Sequence, residues 1–591
     1  MNKIFKVIWS KSKQCYVVVS EVAKNTTGKK KIVVAAVLAS LMMQQAVVIH
    51  AAIPEGTTTR SQSAIAIGTG STTVPDAGAP VNQNAVAIGK VAKANTTKSV
   101  AIGSDSVATG WVQGNNHDVE AATAIGAHAN AIGRGASALG HGAKATGTGT
   151  LALGSNTVTG ANGATAVGSY ASATSENSIA IGGSATSAVT DAAKARAAAA
   201  IAIGKSADAS GVSATAIGDS ASASGTATVA VGKAAQADLD NDNAFGNSVH
   251  ANAGGATAIG YLVNTTGNQA FGGGSNTNVS GPGAVGIGYM SQVSGNRAVG
   301  LGSELSGTKN TASGDYSVAI GAAAQGTAAA ATAIGKQAAA SKDDAIAFGT
   351  SAAASESNAV AIGKNTTASG HSSVAIGGET NATDAAKATG SRAIAVGAKS
   401  AASGQSAIAL GDTAVASGVN GVALGVETSA SKDSAVAIGN KITSSGNYSV
   451  AIGYSTSASA EDALALGTST TASGQHGLAL GTQAAASNTN TIAAGHASVA
   501  SGLAATAIGL SAKAQSDGTL ALGRQAVIDN KSASSMALGD SASVTKATYA
   551  TALGANAKAN NYHAVALGAD SETADKVSTA SMTIAGNSYN F

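Results

Sequence analysis

Cysteine is almost absent: Cys15 is the only one in 591 residues. It lies in an N-terminal segment that reads as removable, so the rest of the chain has no thiol for a disulfide or a thiolate metal site, which is compatible with an oxidising compartment. Aromatic residues make up 3% of the chain and charged residues 11%. Side chains this small cannot fill the several globular cores that the length alone would suggest. Disorder does not fit either, because Val, Ile and Leu are frequent and regularly placed. The formal charge of +3 comes from the first 51 residues, which hold eight Lys and one Glu; 34 less 8 leaves 26 basic residues and 31 less 1 leaves 30 acidic ones, a net of −4. No basic field remains, and no nucleic-acid partner is expected.

What is abundant is glycine, 75 residues, and it is periodic. From Gly397 to Gly523 a glycine recurs every 14 residues (Gly397, Gly411, Gly425, Gly439, Gly453, Gly467, Gly481, Gly495, Gly509, Gly523), usually closing a phrase such as Ala407-Ile408-Ala409-Leu410-Gly411. The same spacing holds from Gly126 to Gly182, Gly204 to Gly302 and Gly321 to Gly377, for about 34 repeats in all. A fixed period marks stacked units, each too small to bury its own core. The intervals lengthen at Gly103 to Gly126, Gly182 to Gly204, Gly302 to Gly321 and Gly377 to Gly397, which reads as loops inserted into single coils.

One repeat, Gly204 to Gly218, contains two short period-2 segments with Ala207, Ala209, Ala214 and Ala216 on one side, closed by Gly211 and Gly218. The glycines are expected to supply the positive φ of two corners, so that two strands and two corners make one coil. Runs such as Ala64-Ile65-Ala66-Ile67 are apolar on both faces; one face can line the coil, and the other needs a partner surface outside it. Ordering 14 residues costs roughly 14 to 28 kcal/mol of backbone entropy, whereas two large aliphatics contribute about 3 to 6. A lone coil does not stand. With strands about 4.8 Å apart, the stack is a rod on the order of 160 Å long.

Residues 1–51 read as a long export signal: a bipartite leader, the cluster Lys29-Lys30-Lys31, an apolar stretch from Ile32 to Ile49, and cleavage expected after Ala51. The competing reading is a membrane anchor, since the apolar stretch approaches spanning length. Met1 to Lys24 resembles the extended signal-peptide region of large Gram-negative autotransporters, which implies export. Residues 52–60 form a lead-in and residues 61–577 the repeats. Residues 578–591 break the pattern and read as a hairpin-like cap over the open end of the stack. Neither a membrane barrel nor a coiled-coil seam is visible.

Catalytic and cofactor chemistry is not apparent. The histidines His117, His128, His141, His250, His371, His476, His496 and His563 are scattered, and His128 and His141 fall at different phases of the repeat, so no metal and no cofactor are expected. Carboxylates such as Asp343, Asp344, Glu461 and Asp462 read as solvated. No helical pattern follows the glycines to make a phosphate loop, and no nucleophile elbow is recognisable. Specificity is expected in the loops. The candidate is Trp111 with His117 and Asp118, as an exposed binding anchor; the alternative is that Trp111 packs its own loop against the roll. The phrases Asp191-Ala192-Ala193-Lys194-Ala195 and Asp384-Ala385-Ala386-Lys387-Ala388 recur in two insertions, as block duplication or as a binding feature.

The repeat Ala-x-Ala-Ile-Gly-x-x-Ala-x-Ala-x-Gly, as in Ala214 to Gly225, resembles the head of trimeric autotransporter adhesins of the YadA type over nearly all of residues 61–568. The resemblance implies an all-β, left-handed parallel β-roll, a side-by-side homotrimer, display on the outer membrane of a Gram-negative bacterium, and non-enzymatic, multivalent attachment to host matrix or cell-surface molecules or to the same protein on other cells. Residues 582–591 resemble the segment before the neck; neck, stalk and barrel anchor are missing, and the chain is expected to be the N-terminal part of a longer protein. The alternatives are a polysaccharide-acting solenoid enzyme and an ice-binding solenoid. The first lacks clustered carboxylates and aromatic platforms, and the second lacks a persistent Thr column, since Ile179, Ile408 and Val450 stand where Thr215 and Thr257 do.

Overall fold

The computed structural model describes residues 5–10, 15–20, 63–73, 84–110, 121–185, 189–575, 577 and 580–590. It is an all-β parallel solenoid of about 33 turns, close to the number the glycine spacing predicts. Each turn has a three-residue strand, a corner, a two-residue strand and a second corner. Ile201–Ile203 pairs in parallel with Thr215–Ile217, and that strand with Val229–Val231, always 14 residues on. Asp208–Ala209 pairs in the same way with Ser222–Ala223. Two long parallel sheets result, one of three-residue strands and one of two-residue strands, joined along both sides by corners.

Alanine makes so thin a coil possible. Ala202 and Ala216 at strand centres, Ala209 in the two-residue strand, and Ala207 and Ala214 closing the corners are all fully buried. Each corner is a turn: the N–H of Ala207 donates to the Gly204 carbonyl at 3.3 Å, and that of Ala214 to the Gly211 carbonyl at 3.2 Å. The glycines differ from expectation here. Gly411, a ladder glycine, does have φ +136°, and a Cβ on it would also collide with the Gly425 carbonyl of the next coil. Gly211, at the other corner, has no positive φ; it is glycine because a Cβ would overlap the Gly225 carbonyl.

The left-handed residue at each turn tip is an ordinary side chain. Ser206, Ser213, Ser220, Ala227, Ala234, Asn241 and Ser248 have φ between 52° and 64° and recur every seven residues. Such a conformation costs on the order of 1 kcal/mol per non-glycine residue. Stacking offsets it, because the tips also join the ladder: the N–H of Ser220 donates to the Lys205 carbonyl one coil back at 2.8 Å.

Where the interior departs from alanine, its surroundings adjust. In the coils closed by Val249, Val263 and Ile442 the strand runs for five residues, as in Asn243–Asn247, Thr257–Tyr261 and Val436–Asn440. Val279 and Val293 stand where alanine stands elsewhere, and glycine replaces alanine in the facing strands at Gly286 and Gly300. A Cβ on Gly286 would lie 3.0 Å from Cγ2 of Val293. Core volume is thus conserved across each layer.

The insertions leave the stack unbroken. The N–H of Ala193 donates to the Gly182 carbonyl across residues 183–192, and that of Ala386 to the Gly377 carbonyl across residues 378–385, both at 2.9 Å. The recurrent phrase has a structural task at these points. Ala193 and Ala386 are buried, while Asp191 approaches Lys205 at 3.9 Å and Asp384 approaches Lys399 at 3.5 Å, tying each loop to the following coil.

Both ends differ from the coils. Phe5–Ser10 and Cys15–Ser20 of the leader form an antiparallel hairpin. At the other end Ser581–Ile584 and Asn587–Asn590 form a second hairpin around Ala585 and Gly586, whose φ values of +50° and +80° suit a tight two-residue turn. The hairpin forms, but it does not cap the stack. It pairs with itself, Met582 and Ile584 are exposed, and Val565 and Leu567 of the last coil stay 64% and 70% exposed. Its backbone ladder closes internally, so it gains nothing from the coil's edge.

Candidate functional site

The two sheets present opposite chemistry to the outside. In the three-residue strands the central alanine points inward and its neighbours outward. The last strand residue is aliphatic or Phe in coil after coil: Ile203, Ile217, Val231, Phe245, Ile259. Many of these are open; Phe348 is 53% exposed and Leu410 46%. A surface of this length far exceeds the few hundred Å² of contiguous apolar area usual on a soluble monomer. Five-residue strands add a third outward column, where Tyr261, Tyr289 and Tyr454 are also exposed.

The two-residue strands turn polar groups outward, among them Lys194, Asp208, Gln236, His250 and Asn264. These side chains link neighbouring coils. Arg196 pairs with Asp208, His250 Nε2 lies 2.6 Å from Asp238, and Asn264 Nδ2 donates to Asn278 Oδ1 at 3.1 Å. Next to them runs a hydroxyl column through Ser403, Ser417, Ser431, Ser445, Ser459, Ser473 and Ser487.

The carboxylates are more than solvated. Asp240, Asp343, Asp433 and Asp517 each accept the N–H of the corner residue 14 positions earlier (Thr226, Ala329, Val419 and Leu503) at 2.7 to 3.2 Å. They clamp one coil to the next. Asp242 is fully buried and accepts the N–H groups of Leu239, Ala253 and Ala256 at 2.9, 3.1 and 2.8 Å. On the surface, the Arg524 guanidinium hydrogen-bonded to Asp540 holds that carboxyl below its usual range.

The different phases of His128 and His141 do not keep them apart. They occupy adjacent positions on successive corners, their ring centroids are 5.6 Å apart, and His128 Nδ1 lies 3.9 Å from Asp105. Among the described residues no group of three His, Cys, Asp or Glu side chains is arranged to hold a metal ion.

A family model described as the extended signal peptide of the type V secretion system matches residues 1–48. A second, the YadA head domain repeat, matches sixteen segments from 82–110 to 546–571, more than half of the chain. The chain belongs to the YadA-like trimeric autotransporter adhesins. No curated relative matches it. Its signal peptide indicates export, and its family is one of adhesins, typically without enzymatic activity.

Within this YadA-type head, the ten ladder glycines from Gly397 to Gly523 all have φ between 118° and 142° and shape the corner after the three-residue strand. The loop with Trp111, His117 and Asp118 lies outside the described residues, as do Ala51 and the apolar stretch before it. No helix among the described residues is long and apolar enough to cross a membrane, which says nothing about a β-barrel. One cluster escaped sequence reasoning: Tyr549, Tyr562 and His563, whose rings converge at the corners of the last coils. Its signal was present, since Tyr549 and His563 are 14 residues, one coil, apart.

Proposed function

We propose that the chain forms the adhesive head of a homotrimer on the bacterial outer membrane, with three left-handed rolls side by side. The unpartnered apolar columns along the three-residue sheet carry this reading. Burying the exposed half of one aliphatic per coil contributes on the order of 1 kcal/mol, and the gain repeats along the shaft. The polar sheet then faces outward. Many weak contacts to host matrix or cell-surface molecules, or to the same head on another cell, sum to avidity without a deep pocket.

The purified chain is tested for attachment to matrix-coated surfaces and for mass by light scattering, alone and fused to a trimeric coiled coil. Attachment without substrate turnover, and one thick rod per fused trimer in electron micrographs, are expected. Heads that splay into three separate rods sink the trimer; glycan cleavage or thermal hysteresis sinks the adhesin.

A further inference from the structure

We propose that the corner bearing Tyr549, Tyr562 and His563 is a carbohydrate-binding site for a pyranose ring. Tyr549 and His563 hold the same left-handed turn-tip position in successive coils, with φ +55° and +57°, and Tyr562 stands beside His563. The parallel stack therefore superposes their side chains. The Tyr562 and His563 ring centroids are 4.0 Å apart, Tyr549 lies 5.0 Å from His563, and Tyr549 meets Tyr562 edge-on at 6.1 Å. Tyr549 is 58% exposed and Tyr562 67%. Three rings gathered at a solvent-facing corner are exceptional in a chain with 3% aromatics.

The neighbouring groups identify the ligand class. Asn561 Nδ2 donates to Asp575 Oδ1 at 2.6 Å, and Asn560 Nδ2 to Glu572 Oε1 at 3.2 Å, so amides and carboxylates are already oriented beside the rings. A pyranose has one face of C–H groups, which suits the negative face of an aromatic ring, and hydroxyls that both donate to carboxylates and accept from amides. A hydrophobic peptide side chain fits less well. It needs an enclosing apolar pocket, and the turn-tip neighbours here are Thr548, Asn560 and Asn561. The inference rests on the adhesin reading for its biological use, and it gives that adhesin a distinct ligand class at a defined place.

The test is saturation-transfer NMR on the purified chain with methyl β-galactoside, methyl α-mannoside and N-acetylglucosamine as probes. Transfer to at least one sugar is expected, weakened about tenfold or more by Tyr562→Ser or Tyr549→Ser. It is retained in Tyr562→Phe, which keeps the stacking face, and in Tyr448→Ser, which removes an equally exposed turn-tip tyrosine elsewhere. Circular dichroism confirms that each variant is folded. The site is refuted if no probe receives saturation at about 20 mM, or if Tyr562→Ser leaves transfer unchanged. Loss of attachment to protein-coated surfaces in Tyr562→Ser without sugar binding makes the corner a protein site and also overturns it. Matrix attachment by the unaltered chain is read separately, so failure here leaves the adhesin reading standing.

Discussion

A Cβ on Gly300 would press into Cγ2 of Val293, the residue that faces it inside the coil. The pair shares one fixed volume. Gly300→Ala is therefore expected to destabilise the central coils by about 1 to 3 kcal/mol through overpacking. Val293→Ala in the same chain should recover part of the loss, as a double-mutant cycle on thermal unfolding would show.

Turn tips offer the opposite change. Val91 is a β-branched residue at φ +57°, among the least tolerant types in that region. Val91→Asn keeps the backbone and relieves the strain, so stability should rise by about 1 kcal/mol. A melting temperature that falls would show that the side chain's packing outweighs the strain.

Asp242 satisfies three backbone donors from within the core. Asp242→Ala leaves them without acceptors at a cost of about 1 to 3 kcal/mol. Amide hydrogen exchange should accelerate at Ala253 and Ala256 first, while coils beyond the neighbours keep their protection.

Charge on the apolar face separates assembly from folding. Leu410→Asp with Leu466→Asp alters two outward, half-exposed positions and touches no interior alanine. The circular dichroism spectrum is expected to stay the same while light scattering reports single rods. An unchanged trimer mass would place the interface elsewhere.

Asp540 carries a pH signature. Its carboxyl is lowered by the hydrogen bond from Arg524, so the folded pKa lies below the unfolded one. The stability it contributes is present above the ordinary carboxylate pKa of about 3.9 and is lost as pH falls through the folded value. In an NMR titration the Asp540 midpoint should rise towards that ordinary value in Arg524→Gln.

The sequence made the coil legible because its period is carried by residue types with a physical reason to recur. Ala216 recurs because the layer is thin, and Gly411 because the next coil lies against it. The turn tips were hidden, since Ser206 and Ala227 do not announce a left-handed backbone; stacking imposes it. The clamping role of Asp240 was hidden as well, because its partner Thr226 sits a full coil away and offers only a backbone N–H. Of the candidate site, the apolar face was readable from strands such as Ile65–Ile67. The convergence of Tyr549 with Tyr562 and His563 required the register of the final coils.

Every strand of the roll finds its partner about 14 residues away in sequence. Few contacts wait for distant chain, so loop-closure entropy is small at each step. A polypeptide that emerges from a pore a few residues at a time can set each new coil on the last one. Each coil added is too wide to slip back, and growth of the stack draws the chain outward without an external energy source.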